Sequence, residues 1–214
     1  KEKGFLPEAF INILAMLGWN AGTEQEIFTL EELCELFSLE RVHKGGAKFD
    51  YEKAKWYNQQ HIQRADNSRL AQLSKPYFAA KGITITDDQQ LELAVAMVKE
   101  RCHLLSDFAE QASFLFTAPA TRDLDAVKPK WTAEKSAFFT KWMDGLAQLD
   151  EPAAMEAAFG EMAVAEGLKK GELMMPLRIM LVGGKFGPGV FDIIHFIGLE
   201  ATKERVQATL QELA

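Results

Sequence analysis

The chain has 214 residues, 48% of them hydrophobic, which is enough for a packed core in one large domain or in two to three small ones. Its 31 acidic against 24 basic residues give a net charge of −7 at pH 7; that argues against a strongly basic nucleic-acid binder but leaves room for a local basic face. Cys34 and Cys102, far apart in helical patterns, read as buried thiols of a reducing compartment, and His43, His61, His103 and His195 show no metal-ligand spacing. There is no signal peptide and no apolar run of membrane-spanning length, and the start Lys1-Glu-Lys-Gly4, without an initiator Met, reads as a piece of something longer.

Almost every periodic segment reads as helix. Pro7 opens a first helix with Phe10, Ile11, Leu14 and Leu17 on one face, closed by Gly18. Thr29 and Glu32 form a capping box ahead of Leu33, Leu36 and Phe37. Asp50 caps a third helix carrying Ala54, Tyr57 and His61, after which Asp66 marks a soft boundary. Gly82 to Ile85 is the one short β-like run. Thr86 with Gln89 reads as a second capping box before Leu91, Ala94, Val95 and Val98, and Ser106 as the cap of a helix with Phe108, Ala112 and Leu115. Residues 117–129, with two prolines and mixed charge, read as a connector. Thr132 starts a helix with Phe138, Phe139, Trp142 and Leu146; Pro152, Pro188 and the region of Glu200 begin three more. The expected fold class is all-α: short antiparallel helices in consecutive bundles, stacked as a superhelix.

The most informative stretch is 176–191, where Gly183, Gly184, Gly187 and Gly189 separate two apolar helical segments. Gly183 and Gly184 stop the first helix, and Pro188 suits the first turn of the second. The bare backbone elbow between them lets a flat or anionic ligand approach, and Arg178, just over a turn earlier, brings a guanidinium suited to a base edge or a phosphate. An ordinary helical-hairpin turn is the alternative reading. The stretch is not a phosphate loop, because Lys185 is followed by Phe186 and not by a hydroxyl, and no strand precedes it, as a dinucleotide fingerprint requires.

No catalytic constellation is visible. Glu31-Glu32 and Asp87-Asp88 sit at helix starts, where they suit the helix dipole, and no Ser, His and acid fall into a triad pattern. Lys53 and Lys55 interleave with Trp56 and Tyr57, a pattern that fits stacking on nucleic acid or a core helix with a solvated lysine face. Arg101 suits a helix C-terminus, with base reading as its second use. A binding module is the economical reading, and a helical protein-interaction scaffold with no RNA role is the competing one.

Taken together, the stretch Gly4 to Trp19, the pieces Phe37-Ser-Leu-Glu-Arg41, Lys48-Phe-Asp50 and Lys55-Trp-Tyr-Asn58, the segment 99–116, and Met175 to Arg178 with Gly187 to Phe191 resemble the C-terminal part of bacterial glutamyl-tRNA synthetases. The resemblance implies a cytoplasmic, monomeric class I aminoacyl-tRNA synthetase as parent, ligating glutamate to tRNA-Glu with ATP and magnesium in a Rossmann catalytic domain. The HIGH- and KMSKS-type signatures of that domain are missing here, so this chain is expected to be non-catalytic, to need no cofactor or metal of its own, and to touch no membrane. Its implied partner is tRNA-Glu, with tRNA-Gln left open.

The resemblance divides the chain into a stem-contact domain, 1–66, and two halves of an anticodon-binding helical bundle, 67–128 and 129–214. It implies anticodon-binding roles for Arg178, Gly187, Pro188, Gly189 and Arg101, and tRNA stem contacts at Lys44, Lys48, Lys53 and Lys55. Some family members carry threonine where this chain has Gly187, so side-chain readout there gives way to backbone readout.

Overall fold

A computed structural model describes residues 4–43, 45–46, 48–146 and 151–214, and among them every regular element is helical. The α-helices are α1 (Pro7–Gly18), α2 (Leu30–Leu36), α3 (Tyr51–Arg64), α4 (Asn67–Ala80), α5 (Asp88–Val98), α6 (Leu105–Phe116), α7 (Ala133–Gly145), α8 (Pro152–Ala165), α9 (Lys170–Val182), α10 (Val190–Ile197) and α11 (Leu199–Leu213). Short 3₁₀ helices lie at Leu39–Arg41, Lys99–Arg101, Leu124–Ala126 and Lys128–Lys130. The all-α expectation holds. Residues 83–87 carry no regular structure, and Trp19 and Val42 form an isolated antiparallel bridge. The chain divides into two compact units, 1–111 and 112–214.

In the first unit α1 packs on α2 and α3, and α4 pairs with α5. Several of the expected caps are present. The Thr29 hydroxyl accepts from the Glu32 N–H while the Glu32 carboxylate accepts from the Thr29 N–H, and Asp50 accepts from the N–H groups of Glu52 and Lys53. Three expectations are corrected. Asp87, one residue beyond Thr86, caps α5, because its carboxylate accepts from Gln89 and Gln90 N–H and a charged acceptor makes the stronger bond. Ser106 lies inside the first turn of α6, where Asp107 instead accepts from the N–H groups of His103 and Leu104. Cys34 is exposed; only Cys102 is buried, and burial pushes its thiol pKa up.

The face of α1 is also opposite to expectation. Phe10, Ile11 and Leu14 are 44%, 40% and 51% exposed, while Ala9, Asn12 and Ile13 face inward. The reason is Asn12. Its amide donates to the Glu26 carbonyl, and its Oδ1 accepts from Phe28 N–H at 2.9 Å and lies 3.0 Å from His61 Nε2. A polar group with that many partners is worth burying, and turning it outward would strand all of them. Asn58, also buried, plays the same part deeper in the unit: its Oδ1 accepts from Leu6 N–H and its Nδ2 donates to the His103 carbonyl.

His61 gives this unit a pH dependence. Burial holds its imidazole below the ordinary 6.5, so the unfolded chain takes up a proton before the folded one does. Stability is therefore complete above 6.5 and declines as pH falls from there toward the folded value. Glu8, held low by its bond to Arg69, titrates below 4.5 and does not confuse that window. Denaturant titrations at pH 7.5 and 5.5 are expected to show a loss at 5.5 that is smaller in His61→Gln, which keeps a donor for Asn12 but has no proton to gain.

The second unit is built around α9, which packs against α8, α10 and α11 and buries Leu173, Leu177 and the run Ile179–Val182. Phe138, Trp142, Phe159 and Phe191 form its aromatic core; Phe159 meets Trp142 edge-on at 4.9 Å and Phe191 at 5.6 Å between ring centroids. Both α4 and α9 carry an internal proline, Pro76 and Pro176, where one would look for a helix boundary. Pro176 is buried in the α9 core, where packing offsets the lost backbone hydrogen bond.

Candidate nucleic-acid interface

The glycine-rich elbow lies in the second unit, between α9 and α10. Gly183 ends α9 in the left-handed conformation, φ +86°, as a helix C-terminus requires. A Cβ there would sit 2.5 Å from the Thr121 carbonyl oxygen and 2.8 Å from Pro119 Cβ, so only glycine fits. The segment read as a connector is thus a brace for the elbow. Asp123 N–H donates to the Gly183 carbonyl at 2.8 Å, and the Asp123 carboxylate lies 3.3 Å from Lys185 Nζ.

From the other side the elbow is held by Arg178. Its Nη1 lies 3.0, 3.1 and 2.7 Å from the carbonyl oxygens of Phe186, Gly187 and Pro188. Sequence reasoning placed the guanidinium beside the elbow; the geometry adds that one of its nitrogens binds the elbow itself. Gly187, φ +98°, is buried, and a side chain built on it would point at Phe114, 3.2 Å away, and at Arg178. Position 187 therefore offers backbone. Pro188 is half-buried and Gly189, the N-cap residue of α10, is exposed. Arg178, Gly187, Pro188 and Gly189 come together as the sequence suggested.

Beneath the elbow Arg205 is buried and donates to the carbonyls of Phe114 and Leu181, at 2.7 and 2.8 Å. Burial, with the nearby Arg122 charge second, pulls its pKa down to about 10, so it is still cationic at neutral pH. Neither Arg205 nor the bracing role of 119–123 has a signal in sequence periodicity.

Phe186 was also missed. The residue is 43% exposed at the elbow, and its ring makes a T-shaped pair with Phe114 at 5.9 Å. A single phenylalanine after a glycine pair and a lysine has no motif, and only its placement singles it out.

Arg101 belongs to the first unit. It is exposed at the end of the 3₁₀ turn Lys99–Arg101, which α3 straps in place through Gln59 donating to the Glu100 carbonyl and Gln63 to that of Lys99. Of the four lysines, Lys44 lies outside the described residues. Lys48 is exposed beside Phe49 in a shallow hollow lined by Ile13, Met16 and Tyr57. Lys53 pairs with Glu26 at 3.0 Å and Lys55 with Glu52 at 2.8 Å. Those hydrogen bonds raise both ammonium pKa values, and a phosphate has to displace a carboxylate at each. Among the described residues no cluster of three or more His, Cys, Asp or Glu gathers to hold a metal, and no helix is long and apolar enough to cross a membrane.

Against known proteins, residues 69–210 match the family model of the anticodon binding domain, and residues 1–56 match the model of the class I (E and Q) tRNA synthetase catalytic domain. The glutamate–tRNA ligase of Christiangramia forsetii is 43% identical and that of Porphyromonas gingivalis 38% identical, each over the whole of this chain and 42% of its own length. A solved glutamate tRNA ligase from Elizabethkingia meningosepticum, in complex with its amino acid, superposes with a TM-score of 0.90 at 35% identity, covering 99% of this chain and 42% of that one. The chain thus spans about 42% of the length of the curated relatives it matches.

Proposed function

The chain belongs to the anticodon-binding-domain family as glutamate–tRNA ligases carry it, and from that premise we propose that it is the tRNA-recognition part of such a ligase. The observation that carries this reading is the braced, Arg178-clamped elbow lying inside the anticodon-binding match. An anticodon is single-stranded, so its bases splay out and offer their edges and faces to a rigid surface. Glycine backbone allows close approach, and Arg178 fixes its shape. Arg101, in the first unit, is a further candidate anticodon contact. Lys48, Lys53 and Lys55, with Lys44, hold phosphates along the stem; such contacts set position and carry no sequence information.

The parent ligates glutamate to tRNA-Glu, with tRNA-Gln as the alternative substrate, and the ATP and magnesium for that step belong to parts of the parent outside this chain. The functional segments 1–66, 67–128 and 129–214 are our division, the first of them overlapping the catalytic-domain match over 1–56. A protein-interaction scaffold with no RNA role draws no support from either family match.

Titrating the chain with tRNA-Glu, an anticodon-substituted tRNA-Glu and tRNA-Gln at two salt concentrations tests the reading. Salt-sensitive binding that prefers the native glutamate anticodon is the expected result. Binding blind to the anticodon, in the chain and in the full-length parent alike, contradicts it.

A further inference from the structure

We propose that the Phe186 ring is a stacking platform for one unpaired base of the bound RNA loop, seated beside the Arg178 guanidinium; this rests on the anticodon-recognition reading above. Phe186 is exposed yet packed. Its ring packs on that of Phe114 in a T-shaped pair, centroids 5.9 Å apart. Its other side lies against Gly184, where an added Cβ would come within 2.8 Å of ring carbon Cε1, so the absence of a side chain at 184 is what makes room for the ring. Its own carbonyl is fixed by Arg178 at 3.0 Å. With the ring placed against Phe114 and Gly184 and its backbone fixed by Arg178, the residue is still 43% exposed at the elbow.

A flat apolar surface, packed in advance beside the Arg178 guanidinium, is what an unstacked base requires. Every base presents a π-face, so such a platform adds affinity without demanding a particular sequence. The division of labour follows. Phe186 captures a base, and the backbone and guanidinium around Gly187 and Pro188 examine it.

The test uses the full-length parent protein as wild type, Phe186→Leu, Phe186→Trp and Arg178→Ala. Leucine keeps an apolar contact with Phe114 but offers no ring; tryptophan keeps the ring. Equal thermal unfolding midpoints for wild type and Phe186→Leu confirm that the elbow stays folded. Each protein is titrated with tRNA-Glu carrying 2-aminopurine at single anticodon-loop positions, and with an anticodon-substituted tRNA. Phe186→Leu is expected to bind the cognate tRNA about tenfold more weakly, Phe186→Trp to restore it, and one 2-aminopurine position to be quenched by wild type and not by the leucine variant. If Phe186→Leu binds within twofold of wild type and quenches equally, while anticodon substitution still weakens the wild type, the platform is overturned and anticodon recognition survives. If anticodon substitution changes nothing in the wild type, both are overturned.

Discussion

Arg178→Ala is expected to erase most of the preference for the cognate anticodon while lowering affinity for all tRNAs by less. One guanidinium nitrogen gathers three successive carbonyls, those of Phe186, Gly187 and Pro188, and so draws that stretch of backbone into a single shape. Hydrogen bonds from a charged donor contribute about 1.5–3 kcal/mol, reduced here by the partial exposure of the side chain. A fold stability loss of roughly 1–2 kcal/mol should therefore accompany the functional one. Phosphate contacts elsewhere are untouched, which is why overall affinity suffers less than discrimination. Arg178→Lys should recover part of the stability and little of the discrimination, because an ammonium on a flexible stem is a point donor without the planar fork. Binding of cognate and anticodon-substituted tRNA, with amide hydrogen exchange over 184–189, checks this. An equal loss of affinity for every tRNA contradicts a role in reading bases, and unchanged exchange contradicts the clamp.

Gly183→Ala is expected to have the largest effect on stability, on the order of 3 kcal/mol. About 1–2 kcal/mol comes from forcing an L-residue into the left-handed region. The rest comes from steric overlap, since the new Cβ meets the Thr121 carbonyl oxygen at 2.5 Å and that oxygen is backbone, unable to swing away. Gly167→Ala separates the two contributions. Its φ is +69° with nothing within 4 Å of the Cβ position, so only the conformational cost, about 1–2 kcal/mol, applies. Denaturant unfolding of both variants reads the difference. Similar losses for the two would mean that the 117–129 brace is not packed on the elbow as described.

What was legible in the sequence is what local chemistry determines. Thr29 with Glu32, Asp50 and Thr132 announce helix starts because capping is a contact between residues two or three apart. Gly183 announces a helix end because the left-handed conformation there nearly demands glycine. Periodicity also marked an apolar stripe on α1, but not which way it faces. That was decided by Asn12 meeting Glu26, Phe28 and His61, partners at least fourteen residues away that a single sequence does not pair.

Thr86 lost the cap of α5 to its neighbour because both are good cap residues, and the choice depends on one residue of register. Pro76 and Pro176 sit inside helices, where packing of the surrounding helix outweighs the bond each removes. At the candidate site the glycines, Pro188 and Arg178 were visible as a pattern. The bracing by Pro119, Thr121 and Asp123, the buried Arg205 and the fixed ring of Phe186 were not, because each is defined by what it touches across the fold.

The most direct measurement is chemical footprinting of tRNA-Glu, free and bound to the full-length parent protein, with reagents that attack the Watson–Crick edges of unpaired bases. Strong protection of the anticodon bases is expected in the wild-type complex and its loss in Arg178→Ala, with the stem phosphates still protected in both against a phosphate-alkylating reagent used in parallel. Anticodon bases left as reactive in the wild-type complex as in free tRNA would contradict it.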